Sequence, residues 1–257
     1  MTSADGTVLS LRRSGSGSPM VLVHGTLDGM NTFSLVELAL ADHHEVTVYD
    51  RRGRGGSSDA TAYALDREVE DLQAVLGTYD QPVHVVAHSF GAVVAMKTAL
   101  AGADLASLVL YEPPMNGDQI PDDVVAALED AVAEGRPDDA IRLLAHDLAG
   151  VSDEEIGIAM AVPPVRKMLR EGVRSASREL RTLQQCTWDD LPITGVPTLM
   201  LRGERSDSPA YPTAQQLSTI VLGAEAVTLA NQTHLAHSMD PNGFTNAVLG
   251  FTSQQHQ

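Results

Sequence analysis

The sequence predicts an α/β protein built on a mostly parallel, doubly wound sheet, with an all-helical segment inserted late in the chain. Three observations predict it. Short apolar runs rich in Val, Leu and Met alternate with amphipathic stretches at βαβ intervals between Met20 and Tyr111. An abrupt strand-to-helix junction falls at Ser89, where Val83, Val85 and Val86 give way to Ala92, Val93, Ala95 and Met96. From about Asp118 to Gln185 only helical patterns occur, after which the alternation resumes.

Taken in order, Thr7 to Arg13 alternates apolar and polar residues as an edge strand does, and Ser14 to Pro19 is a turn-rich connector. Met20 to Val23 is a short buried strand ending in His24-Gly25-Thr26. Phe33 to Ala41 reads as a helix and Glu45 to Tyr49 as a strand, followed by the loop Asp50-Arg51-Arg52-Gly53-Arg54-Gly55-Gly56-Ser57. Its arginines invite a phosphate-binding reading, but no Lys-Ser/Thr pair or dinucleotide spacing accompanies the glycines, so a structural loop is expected. Leu65, Val69, Leu72 and Leu76 mark an amphipathic helix leading into the strand before Ser89, and Ser107 to Tyr111 is the strand after the next helix, closing at Glu112-Pro113-Pro114.

Four helices are then expected. Val125, Leu128 and Val132 face inward on the first. Pro137 opens the second, and Ser152 with Glu155 forms a capping box for the third, which Pro163-Pro164 stops. Val165 to Leu183 carries a long fourth, with Arg166, Arg170, Arg174 and Arg178 at four-residue spacing. Such like charges repel unless acids lie nearby. Pairing with the acid-rich first part of the segment is the ordinary expectation. The sharper one is that one of Arg166, Arg170 or Arg174 holds a substrate carboxylate. Pro197 to Leu201 resumes the strands, Leu217, Ile220 and Val221 suggest a helix, Ala226 to Leu229 a last strand, and Phe244, Ala247, Val248 and Phe251 a closing helix.

A chain of 257 residues is ample for a buried core, and a net charge of −17 argues against nucleic acid and anionic membrane surfaces as partners. The polar first residues lack a leader pattern, no stretch is long enough to span a bilayer, and the single Cys186 excludes an internal disulfide. A cytoplasmic protein acting on a small molecule is expected.

Ala87-x-Ser89-x-Gly91 resembles the nucleophile elbow of the α/β-hydrolase superfamily, usually Gly-x-Ser-x-Gly, departing from it by the one methyl of Ala87. His24-Gly25-Thr26 is similar to the pair that follows the third strand of that family, and the loop from Asp50 to Ser57 to the one that closes its fourth. The resemblance implies Ser89 as nucleophile, Asp207 as acid and His234 as base, in the family's chain order, with the N–H groups of Thr26 and Phe90 as oxyanion donors. Glu112 is the alternative acid, because some members carry their carboxylate after that strand. His88 is expected to pack, and His24 to serve as a structural hydrogen-bonding group.

The implied enzyme is a cofactor-free serine hydrolase of an ester, thioester or lactone of a small to medium, mostly apolar molecule, working through an acyl-enzyme. A carbon–carbon lyase, acyltransferase or cyclisation catalyst on the same scaffold is the alternative, and a ligand receptor a further one. Met115, Met160, Met168 and Trp188 are candidates to line an adaptable pocket, although methionines at helical spacing are more often core. His234 and His237 stand at helical spacing, but without a third clustered ligand no metal is expected. The expected division is a core of residues 1–115 and 189–257 with a helical cap, 116–188, between them.

Overall fold

The computed structural model describes residues 1–60, 62–186, 195–212 and 221–256. Trp188, the 188/189 boundary and most of the helix expected around Leu217 and Ile220 lie outside them. Seven strands form one sheet: β1 (Leu11–Ser14), β2 (Ser18–Val23), β3 (His44–Tyr49), β4 (Val83–His88), β5 (Leu105–Tyr111), β6 (Thr198–Gly203) and β7 (Glu225–Leu229). Their order is β1-β3-β2-β4-β5-β6-β7, and every neighbouring pair is parallel except β1 with β3.

Strand periodicity sorts the core into two layers. Val21, Val23, Val85, Ala87, Leu108 and Leu110 face one side, under α2 (Leu65–Leu76) and α3 (Phe90–Leu100). Met20, Leu22, Val86, Val109 and Tyr111 face the other, under α1 (Ser34–Ala41) and the closing helix Pro241–Thr252. Helices on both faces and a parallel interior are what the near-continuous apolar strands require. No helix among the described residues is long and apolar enough to cross a membrane.

Two boundaries differ from the sequence reading. The first strand begins at Leu11 because residues before it pair with a loop instead: Val8 N–H donates to Ser58 Oγ at 2.8 Å, and the Ser10 carbonyl accepts from Asp50 N–H at 2.9 Å. The His-Gly pair therefore follows the second strand of this sheet. Between β5 and β6 the described residues hold helices and no strand: α4 (Asp122–Ala133), α5 (Pro137–Arg142) running on into a π-helical turn (Leu143–Leu148), α6 (Asp153–Ala161), α7 (Pro163–Gly172) and α8 (Ala176–Gln185). The capping box opens α6: Ser152 Oγ accepts from Glu155 N–H, and Glu155 Oε2 accepts from Ser152 N–H.

The long fourth helix of the sequence reading is two helices, α7 and α8, separated by a short 3-10 turn. A tertiary contact breaks it. Gly172 lies so close to the main chain at Leu27 that a Cβ there would stand 2.4 Å from the Leu27 carbonyl oxygen. The helical segment thus rests directly on the loop after β2.

Candidate active site

At the carboxyl end of β4 the chain turns sharply into α3, and Ser89 at the turn has φ +53° and ψ −127°. A serine held at positive φ is strained by about 1–3 kcal/mol and persists only where its surroundings fix it. Here Ser89 N–H extends the ladder to the Tyr111 carbonyl at 2.9 Å. Gly91 allows α3 to touch the end of β2, since a Cβ there would lie 2.4 Å from the His24 carbonyl oxygen. Ala87 is absorbed into the core without relaxing the turn.

The next strand ends in the same way: Glu112 has φ +48°. That bend directs its carboxylate across the strand ends. Oε1 accepts from Gly203 N–H at 2.7 Å, and Oε2 lies 2.6 Å from His234 Nδ1. The acid facing the histidine is therefore Glu112, which corrects the expectation of Asp207. Asp207 is exposed, on a loop whose neighbours Ser206 and Ser208 turn inward instead.

His234 is clamped from several sides. The Tyr111 hydroxyl accepts from Ala236 N–H at 3.1 Å and donates to the Thr233 carbonyl, while His88 Nε2 lies 3.0 Å from the His234 carbonyl oxygen. Tyr211 stacks on the imidazole with ring centroids 4.9 Å apart, its hydroxyl 2.7 Å from Nδ1. Glu112 engages Nδ1, so Nε2 is the ring nitrogen left to face the cavity that His234 lines together with Ser89. Burial, with the neighbouring His88, holds His234 below the ordinary histidine range despite the opposing pull of Glu112. Burial alone would raise Glu112, but its contacts with His234, together with those to Ser206 and the Gly203 N–H, outweigh that and hold it below the usual carboxylate range.

The loop after β2 is anchored by guanidinium groups. Arg51 N–H donates to His24 Nε2 at 3.0 Å, so the proton of His24 sits on Nδ1 and is given to the Gly25 carbonyl at 2.9 Å. Arg51 Nη1 donates to the same carbonyl at 3.1 Å. Because a trans peptide is planar, fixing the Gly25 oxygen turns Thr26 N–H the opposite way. Arg54 grips the Thr26 carbonyl at 2.6 Å, and Glu179 of α8 accepts from both arginines at 2.9 and 2.7 Å. Arg51 also pairs with Glu68 at 2.7 Å and lies over the Phe90 ring. These buried arginines bind the fold together, as the structural reading of their loop expects. Phe90, the first residue of α3, has an N–H with no acceptor within the helix.

The cavity has a volume of about 930 Å³. Core residues Thr26, Leu27, His88 and Leu235 line it on one side, and Ile141, Leu144, Val151, Val165, Met168 and Leu169 of the helical segment on the other. Met168 thus stands where the sequence places it, whereas Met160 packs against the core cluster. Arg166, Arg170 and Arg174 do not line the cavity. Arg166 donates to the Met160 carbonyl, Arg170 makes two 2.6 Å bonds to Asp138, and Arg174 is exposed. The Arg170–Asp138 pair is the ordinary expectation, pairing with the acid-rich first part of the segment, while Arg178 pairs with Asp59 in a loop of the core.

Among the described residues one cluster could hold a cation: Asp28, His88 and His237 bring three ligand atoms within 4.8 Å of one another. It is not the His234–His237 pair of the sequence. His88 Nε2–H donates to the His234 carbonyl, and its Nδ1 lies 3.4 Å from Asp28 Oδ2. Burial alone would raise Asp28, but the imidazoles of His88, His237 and His24 together outweigh it and hold the group below the usual carboxylate range.

The model of the alpha/beta hydrolase family matches residues 20–247. A lipase, LipV, of Mycobacterium tuberculosis is 30% identical over 229 residues, 82% of this chain and 84% of its own. A non-heme haloperoxidase of Rhodococcus erythropolis is 26% identical over 93% of this chain and 92% of its own. Among solved structures, an alpha/beta hydrolase from Sphaerobacter thermophilus superposes with a TM-score of 0.83 at 30% identity, covering 98% of both chains.

Proposed function

The chain belongs to the alpha/beta hydrolase family and is an enzyme of the hydrolase type, and on that premise we propose that it hydrolyses an ester, thioester or lactone through an acyl-enzyme on Ser89. The observation that carries the proposal is the buried Glu112–His234 pair opening on the same cavity as the strained Ser89.

In this mechanism His234 Nε2 takes the Ser89 hydroxyl proton as Oγ attacks the substrate carbonyl, a step worth about 10²–10⁴-fold. Glu112 holds the Nδ1 proton and balances the imidazolium that forms. Thr26 and Phe90 N–H receive the oxyanion, each donor contributing about 2.7–4 kcal/mol. The imidazolium then protonates the leaving group. Water, deprotonated by the same nitrogen, attacks the acyl-enzyme and releases the acid, which restores Ser89. The helical segment acts as a cap whose apolar lining favours a mostly apolar acyl compound of small to medium size.

A fluorophosphonate probe tests this directly. Labelling is expected at Ser89, located by mass spectrometry, and absent in Ser89→Ala; a folded parent that takes no label refutes the assignment.

The acid limb of the pH profile is a second test. Only neutral His234 accepts the serine proton, and its folded pKa lies below the ordinary value of 6.5. Activity is therefore lost only as pH falls through that depressed value, and kcat/KM at pH 6.5 is expected to stand above half of its plateau. An acid limb centred at or above 6.5 would assign the base elsewhere.

A further inference from the structure

We infer that the substrate carries an extended apolar chain, which leaves the cavity through an apolar collar formed by Leu35, Ile158, Val162 and Met239. This inference rests on the acyl-hydrolase reading above and names its substrate class more narrowly. Large apolar side chains exposed singly are ordinary on protein surfaces; a contiguous group of them calls for an occupant. Among the described residues, four of the eight large apolar side chains left in water belong to this one cavity: Leu35 is 60% exposed, Ile158 53%, Val162 44% and Met239 38%.

They come from separate parts of the chain. Leu35 lies on α1, Ile158 on α6, Val162 in the link to α7, and Met239 on the short helix Ala236–Met239 just after His234. A fold has no reason of its own to gather exposed side chains from core and helical segment around one opening. Moreover, α6 has no fully buried residue although it carries Ile156, Ile158 and Met160. The same lining holds Val165, Met168 and Leu169 beside Ser89, with Asp28, Asp50, Arg54, Lys167 and Glu171 as its charged members.

An acyl or alkoxy chain anchored at Ser89 and running outward can follow Met168, Leu169 and Val165, and on reaching the collar covers side chains that water otherwise wets. A chain too short to reach the collar gains none of that burial. An anionic membrane is disfavoured as the occupant by the net charge of −17.

The test is a series of p-nitrophenyl esters from butanoate to dodecanoate, each used below its aggregation threshold. The parent is compared with the fourfold variant Leu35→Ser, Ile158→Ser, Val162→Ser, Met239→Ser. The pairs Leu35→Ser/Met239→Ser and Ile158→Ser/Val162→Ser serve if the fourfold variant does not fold. The dodecanoate-to-butanoate ratio of kcat/KM is expected to exceed one in the parent and to fall by about tenfold in the fourfold variant, carried by KM. The same change at Leu222→Ser and Val8→Ser, exposed but outside the cavity, is expected to leave the ratio alone. A ratio at or below one in the parent, or one equal in parent and variant, overturns the inference. So does a sedimentation change in the variant at constant ratio, which would make the collar a contact between copies. Absence of both ester turnover and Ser89 labelling would instead refute the acyl-hydrolase reading.

Discussion

Glu112→Gln is expected to lower kcat by about 10⁴-fold, while Asp207→Asn changes it by no more than about twofold. The difference follows from what each carboxylate touches. Glu112 Oε2 stands 2.6 Å from His234 Nδ1, buried, with Oε1 fixed by Gly203 N–H. An ionised carboxylate there compels the neutral imidazole to carry its proton on Nδ1 and leaves Nε2 to accept from Ser89. A glutamine can keep the bond to Gly203 N–H through its carbonyl oxygen. Its NH₂ then points at Nδ1, favours the tautomer with the proton on Nε2, and disables the base without emptying the site. Asp207, exposed on its loop, offers the imidazole nothing to lose. Kinetics on a chromogenic ester, with melting curves to show both variants folded, decide the matter. A larger loss in Asp207→Asn than in Glu112→Gln would return the acid to the later loop.

The contrast shows where sequence reasoning reaches and where it stops. The layered sheet was legible because burial on both faces writes near-continuous apolar runs, and the Ser89 turn because it demands small residues at fixed offsets. His234 was legible as the histidine of the loop after the last strand. The choice of acid was not, because residue spacing says how far along the chain a carboxylate lies and nothing of its direction. Direction here comes from φ +48° at Glu112, a conformation with no local signature in a glutamate. The arginine ladder was legible in its ordinary reading, since Arg170 pairs with Asp138 of the acid-rich first part of the segment; that Asp59 of the core would take Arg178 was not, because spacing along one helix says nothing of what another element brings to it. Tyr211 and Tyr111, whose hydroxyls hold His234 and its loop, carried no motif at all.

Glu179→Ala is expected to destabilise the protein by about 3–5 kcal/mol and, in the molecules that remain folded, to lower kcat by about tenfold. Glu179 is fully buried, and one of its oxygens receives both Arg51 and Arg54. Removing it leaves Arg51 with Glu68 but takes from Arg54 its buried acidic partner. An uncompensated guanidinium in that interior is the costly outcome. Arg54 borders the cavity, so the cheapest relaxation swings it toward water there and releases the Thr26 carbonyl. The proposed oxyanion donor then loses part of its support. The loss stays short of the about 10²–10³-fold of a missing donor, because Arg51 and His24 still hold the Gly25 carbonyl that orients Thr26 N–H. Urea unfolding gives the stability change as a shift of midpoint at unchanged slope. Glu179→Gln, which keeps an acceptor for the two arginines, is expected to recover most of the rate and only part of the stability. Equal kcat in Glu179→Ala and parent would separate the network from the oxyanion loop and leave it a purely structural tie between α8 and the core.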